Sequence, residues 1–178
     1  MAINRHDPRI RAREQRWDEE VTARLPDLLA ELLDSPVYGL TQGRPRPPEN
    51  YGVYLFTEGG RPRYVGRVGL TERSRRAGKR FSNFRTRLGG HTRPRHGEGT
   101  YAYARTVRHF RWHGLPLAET RNGNAADPEF MAEFRRQCER VCRMGFQVVE
   151  ITDNRLAAVF EIYAAVALGL RNQTFAVS

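Results

Sequence analysis

Two short aromatic and β-branched runs constrain this chain most. Tyr51-Gly52-Val53-Tyr54-Leu55-Phe56 and Tyr64-Val65-Gly66-Arg67 flank Thr57-Glu58-Gly59-Gly60-Arg61-Pro62. Two such runs around a Gly-Gly pair predict a β-hairpin. Each strand sets a tyrosine beside a glycine. A glycine inside a strand weakens it and marks a bulge or the close approach of another backbone. Side chains alternate faces along a strand, so the turn decides whether Tyr54 and Tyr64 meet. A loop of odd length centred on Gly59 sets them opposite each other. An even loop centred between Gly59 and Gly60 puts them on opposite faces, unless a bulge corrects the register.

The rest of the chain is read around this hairpin. From Met1 to Leu33, Val21, Leu25, Leu28, Leu29, Leu32 and Leu33 keep helical spacing, and Pro26 can open a second helix. This segment is too short to fold alone and must lie on the main body. Pro45, Pro47 and Pro48 make an extended linker. Residues 1–48 are thus a helical extension with its linker, and 49–178 form the main domain. A helix is predicted over Lys79 to Leu88, with Phe81, Phe84 and Leu88 as its apolar stripe and Arg80, Asn83 and Arg87 beside it. Gly89-Gly90 is expected to stop it. If the turn continues, His91 shares the face of Arg87. The alternation from Tyr101 to Val107 predicts a strand. Asp127 caps a helix reaching about Met144, Phe146 to Ile151 is a strand, and Asp153 caps a last helix to about Gly169.

Charge is unevenly placed. The 178 residues carry a net +10. Arg61 to Arg111 holds fifteen Arg or Lys against two acids, a net +13, and the remainder fifteen against eighteen, a net −3. A localised positive field beside an aromatic hairpin points to a polyanion, most simply nucleic acid. The N-terminus is charged and lacks a signal-peptide pattern. The longest apolar run, Leu156 to Leu170, is shorter than the roughly 20 residues a membrane helix needs. A cytoplasmic protein without a membrane partner is expected. Cys138 and Cys142 are too few for a disulfide framework or a four-ligand metal site and are read as reduced, packed thiols.

Within that apolar run the only charged residue is Glu161. A carboxylate among apolar residues is costly unless something pairs with it: a divalent cation, an arginine, or solvent through a gap. Gly52-Val53-Tyr54, Tyr64-Val65-Gly66, Arg87 with His91, Glu161 and Asn172 resemble the GIY-YIG nuclease family in residue type, order and spacing. The resemblance runs from Tyr51 to Asn172, with Asn122 to Met144 looking like an inserted helix. It implies an α+β fold in which a small three-stranded antiparallel sheet is flanked by helices, here with the N-terminal helical extension. It also implies hydrolysis of DNA phosphodiesters with one Mg²⁺ or Mn²⁺.

The chemistry suits these residues. Glu161 is a hard oxygen ligand for Mg²⁺. Arg87 offers a fork of donors to a phosphate. A tyrosine is a poor base at a pKa near 10 unless neighbouring cations favour phenolate, so Tyr54 and Tyr64 are taken as a coupled pair. His91 can relay a proton or hold a phosphate, and Asn172 would position Glu161 or the hairpin. Gly52 and Gly66 are structural. Arg67, Arg76, Lys79 and Arg80 are expected on nucleic acid. Many family members carry lysine where this chain has Arg67, and Arg67 can assist only electrostatically. Arg73, Arg75, Arg76 and Arg80 are rivals for the role given to Arg87. The resemblance leans towards restriction-type members. The segment Val68 to Gly78 and the helix Asp127 to Met144 would then have to read bases. A restriction enzyme cutting double-stranded DNA at a palindrome is expected to dimerise or bind twice. The alternatives are a structure-specific repair or mobile-element nuclease, and a non-cleaving nucleic-acid-binding or interaction module.

Overall fold

The hairpin forms as β1, Gly52–Glu58, and β2, Arg61–Val68, in a computed structural model that describes residues 8–39, 45–69, 83–94 and 99–170. Gly59 and Gly60 both take positive φ, 58° and 74°, between the paired Glu58 and Arg61. This is the left-handed geometry that a two-residue hairpin turn requires. The loop is therefore even. A register shift between Phe56 and Thr57 restores the parity: Thr57 pairs with Pro62, but Phe56 pairs with Tyr64 and Tyr54 with Gly66. The extra residue lies on β2, and both phenols end on one face.

The third strand, β3, is Gly145–Glu150 and runs antiparallel to β1, giving the order β2-β1-β3. Gly52 pairs with Glu150 at φ 151°, where an added Cβ would lie 2.1 Å from the Val149 carbonyl oxygen. No side chain fits there.

Alternation along the strands builds two cores. Tyr54, Phe56, Tyr64, Val68, Phe146 and Val148 face one way. They meet three helices: α3 (Phe84–Thr92), α4 (Thr100–Trp112) and, after a short α5 (Arg121–Ala125), α6 (Pro128–Arg143). Val53, Leu55, Val65, Val149 and Ile151 face the other way. They meet the leucines of α2 (Leu25–Asp34) and the apolar side of α7 (Asn154–Ala167). Ahead of α2 come α1 (Pro8–Glu20) and a 3-10 turn at Thr22–Arg24. The fold is α+β, with a three-stranded antiparallel sheet flanked by helices on both faces.

Beyond α2 the chain covers the outer edge of β3. The Tyr38 amide donates to the Phe146 carbonyl (2.8 Å), the Phe146 amide donates back (3.1 Å), and the Val148 amide donates to Ser35 Oγ (3.1 Å). Among the described residues no strand pairs with the outer edge of β2, and Pro62 within it has no amide to offer.

Two expectations are corrected. Tyr101 to Val107 is not a strand but part of α4. The alternating Tyr-Ala-Tyr-Ala pattern arises because this helix is buried on two sides. Tyr101 stacks on Tyr64 (5.0 Å) and Phe56 (5.9 Å), while Tyr103 meets Phe130 (5.3 Å) and Phe134 (6.0 Å). The helix expected over Lys79 to Leu88 begins at Phe84, because Asn83 Oδ1 accepts from the Thr86 amide (2.8 Å) and caps it. It also runs through Gly89-Gly90 to Thr92. Phe84 and Leu88 before the glycines and His91 after them are buried on the same helix, and this packing outweighs the cost of two helical glycines. Residues 79–82 lie outside the described residues. The last two helices and β3 fall within a residue or two of their expected bounds, with Asp127 and Asp153 as caps. Among the described residues no helix is long and apolar enough to cross a membrane.

Candidate active site

The site starts from what Gly66 lacks. The ring of Tyr54 crosses the edge strand above Gly66, and a Cβ there would lie 2.4 Å from Tyr54 Oη. The glycine lets the phenol lie flat across β2 and bring its hydroxyl to Tyr64 and α3. Continuation of α3 through the glycines brings His91 to the same place. Tyr54 Oη lies 2.7 Å from His91 Nε2, in a hydrogen bond whose direction follows the imidazole tautomer. The rings of Tyr54 and Tyr64 are 6.2 Å apart, and Tyr64 and His91 5.9 Å. Arg87, one turn before His91 on α3, acts on Tyr54 as a charged and hydrogen-bonding neighbour. Arg87 Nε and His91 Nδ1 are buried and have no hydrogen-bond partner. Unsatisfied buried polar atoms cost free energy and call for a reason.

Burial sets the protonation states. It pushes Tyr54 above the usual phenol range, with Arg87 opposing and Glu161 reinforcing. Burial, then Tyr54, pushes Tyr64 far up. For Arg87, burial works against the charge, but Tyr54, Tyr64 and Glu161 more than offset it, and the guanidinium stays protonated. Burial and then Arg87 push His91 down to about 3, so its imidazole is neutral at pH 7.

Glu161 stands differently from the other four. It lies on α7, against the opposite face of the sheet, and its Oε2 accepts from Arg67 Nε at 3.0 Å. Burial raises its pKa, with Arg67 and then Arg87 opposing. Its charge acts on Tyr54, Tyr64 and Arg87. Tyr54, Tyr64, Arg87 and His91 therefore form one contact cluster, and Glu161 joins it at electrostatic range from around the Gly66-Arg67 segment. Asn172, Arg76, Lys79 and Arg80 lie outside the described residues, as do the rivals Arg73 and Arg75.

Sequence reasoning missed a groove that opens at Tyr64. Its volume is about 900 Å³, and Arg63, Arg105, Arg108, Arg136, Arg140 and Arg143 line it. The signal was present in α6, where Arg136, Arg140 and Arg143 recur at i, i+4 and i+7 on one helix face. Comparison of the chain with models of protein families, with curated proteins and with solved structures found no match.

Proposed function

We propose that this chain is a GIY-YIG-type endonuclease that hydrolyses DNA phosphodiester bonds with the help of a divalent cation. The observation that carries the reading is the contact cluster. Two phenols, a protonated guanidinium and a neutral imidazole from β1, β2 and α3 share one buried corner, with a carboxylate from α7 in electrostatic range. A structural core gains nothing from assembling five polar groups and leaving two of their nitrogens unpartnered. A phosphate would satisfy Arg87.

The reaction breaks one P–O ester bond. The oxygen of a water molecule forms the new bond to phosphorus. As its proton reaches an oxygen of the Tyr54–Tyr64 pair, Tyr54 gives its own phenol proton to the neutral His91 Nε2 through their hydrogen bond in the same step, so no phenol holds two protons. The departing ester oxygen takes a proton from solvent. Arg87 faces the non-bridging oxygens, where charge grows in the transition state. The residues fit a divalent cation with a single protein ligand, since Mg²⁺ binds readily through one or two carboxylates, substrate phosphate and water. Glu161 would hold it in exchange for Arg67, and the cation would supply charge neutralisation at the phosphate.

The test is nicking of a supercoiled plasmid in Mg²⁺ or Mn²⁺. Wild type should cut. Tyr54→Phe and Tyr64→Phe should each lose about 10²–10⁴ of the rate, the range for positioned proton-transfer groups, and Glu161→Ala should lose the metal-dependent cutting. Cleavage that survives Glu161→Ala would remove the carboxylate from the mechanism. Sequencing the cut ends then separates a restriction-type enzyme, with defined ends, from a structure-specific one. The pairing of Glu161 with Arg67 favours a second reading, a non-cleaving nucleic-acid-binding module. Tight binding with no cutting in any divalent metal would establish it.

A further inference from the structure

The groove beside Tyr64 runs between β2, α4 and α6, and the chemistry described so far makes no use of it. It carries six arginines against one carboxylate, Glu133. Several of the guanidiniums are already fixed. Arg105 Nε donates to Gln137 Oε1 (2.8 Å) and lies over the Tyr101 ring at 5.8 Å. Arg140 grips Glu58 through two bonds, Nε to Oε1 (2.6 Å) and Nη2 to Oε2 (2.7 Å). Arg136 pairs with Glu133. Arg108 and Arg143 are exposed. At the end of α4 stands Trp112, which also lines the groove and is 82% exposed, more than any other large hydrophobic residue described. An indole held in water beside a row of arginines is unfavourable for a core residue and well suited to a stacking surface.

We infer that this groove binds one strand of nucleic acid next to the bond to be cut, with phosphates on the arginines of α4 and α6 and a base stacked on Trp112. The proposal rests on the nuclease reading for its direction only, since the strand would enter the site at Tyr64. Charge selects a polyanion. The aromatic groups among the charges select nucleic acid over polyphosphate or an anionic lipid, because backbone charge and base stacking together are how single strands are held. Stacking selects one strand. A base inside an intact duplex has both faces covered by its neighbours, so only an unpaired or opened stretch can lay a base on Trp112. The substrate class that follows is DNA with an unpaired or locally opened stretch beside the cleaved bond.

The test uses the full chain and a short oligothymidylate. The chain has two tryptophans. Trp17→Phe therefore leaves Trp112 as the sole indole reporter. Its fluorescence should be quenched by the oligonucleotide and not by inorganic polyphosphate. Trp112→Ala should weaken binding, read by anisotropy, about tenfold. Arg108→Glu with Arg143→Glu should weaken it further and take about 0.7 from the salt slope for each phosphate no longer neutralised. Both substitutions are at exposed positions, and thermal melts verify the fold. Full-affinity binding by the arginine variant, or equal quenching by polyphosphate, would overturn the proposal. So would a preference for intact duplex over the single strand. A protein that binds as described and never cuts would refute the nuclease reading and leave the groove standing. One that cuts while the groove variants bind normally would do the reverse.

Discussion

At the scale of single residues, the site depends on a missing side chain and an uncharged ring. Gly66→Ala would push a methyl group into Tyr54, placing the new carbon 2.4 Å from the phenol oxygen and 2.5 Å from Cζ. The phenol is wholly buried and cannot swing aside freely. We expect a loss of about 1–3 kcal/mol of stability, the usual cost of overpacking, together with loss of plasmid nicking. Thermal melts and the nicking assay check both. His91 gives a pH prediction. Its folded pKa, about 3, lies below the ordinary 6.5, so the unfolded chain binds the proton more readily. Its contribution is intact above about pH 6.5 and is lost as pH falls towards 3, at up to about 1.4 kcal/mol per pH unit. Denaturant melts at pH 7, 5 and 4 should show a shallower decline in His91→Gln than in wild type. Parallel declines would show that His91 is not buried neutral.

At the scale of elements, local patterns were legible where one signal acted alone. Asp127 and Asp153 marked helix starts, and Val148, Val149 and Ile151 marked a strand. Reading failed where tertiary packing overruled a local rule. The Gly59-Gly60 pair marked the turn but left its length open between odd and even, and the bulge after Phe56, which decides that Tyr54 and Tyr64 share a face, carries no letter of its own. Tyr101 and Tyr103 mimic a strand because α4 is buried on two sides. Gly89-Gly90 reads as a stop, and the buried ring of His91 keeps the helix going. That last point is testable. An added Cβ at Gly89 meets nothing within 4 Å, so Gly89→Ala should stabilise the protein by about 0.5–1 kcal/mol. A rise in the melting temperature would show it, and a fall would mean that the helix does not pass through this position. Of the candidate site, the tyrosines, Arg87, His91 and Glu161 could be named from the sequence. The groove was legible only in part: Arg136, Arg140 and Arg143 share a face of α6, but Arg63, Arg105 and Arg108 come from other elements whose packing no spacing reveals.

At the scale of the whole molecule, helix α2 is tied to the sheet. Leu32 of α2 is fully buried beside Val53, Leu55 and Phe160. Leu32→Ala should cost about 2–5 kcal/mol. It should move a single unfolding transition, seen alike by circular dichroism and by tryptophan fluorescence. Two separated transitions would show that α2 melts independently of the sheet.

The strand order has a consequence for how the protein is made. β1 is the central strand, yet its partner β3 follows about ninety residues later in the chain. On a ribosome the hairpin therefore emerges with one ladder unmet and with apolar side chains bare on both surfaces. The nascent protein must keep that ribbon from pairing with its neighbours until β3 arrives, a delay in which a holding chaperone would improve the yield.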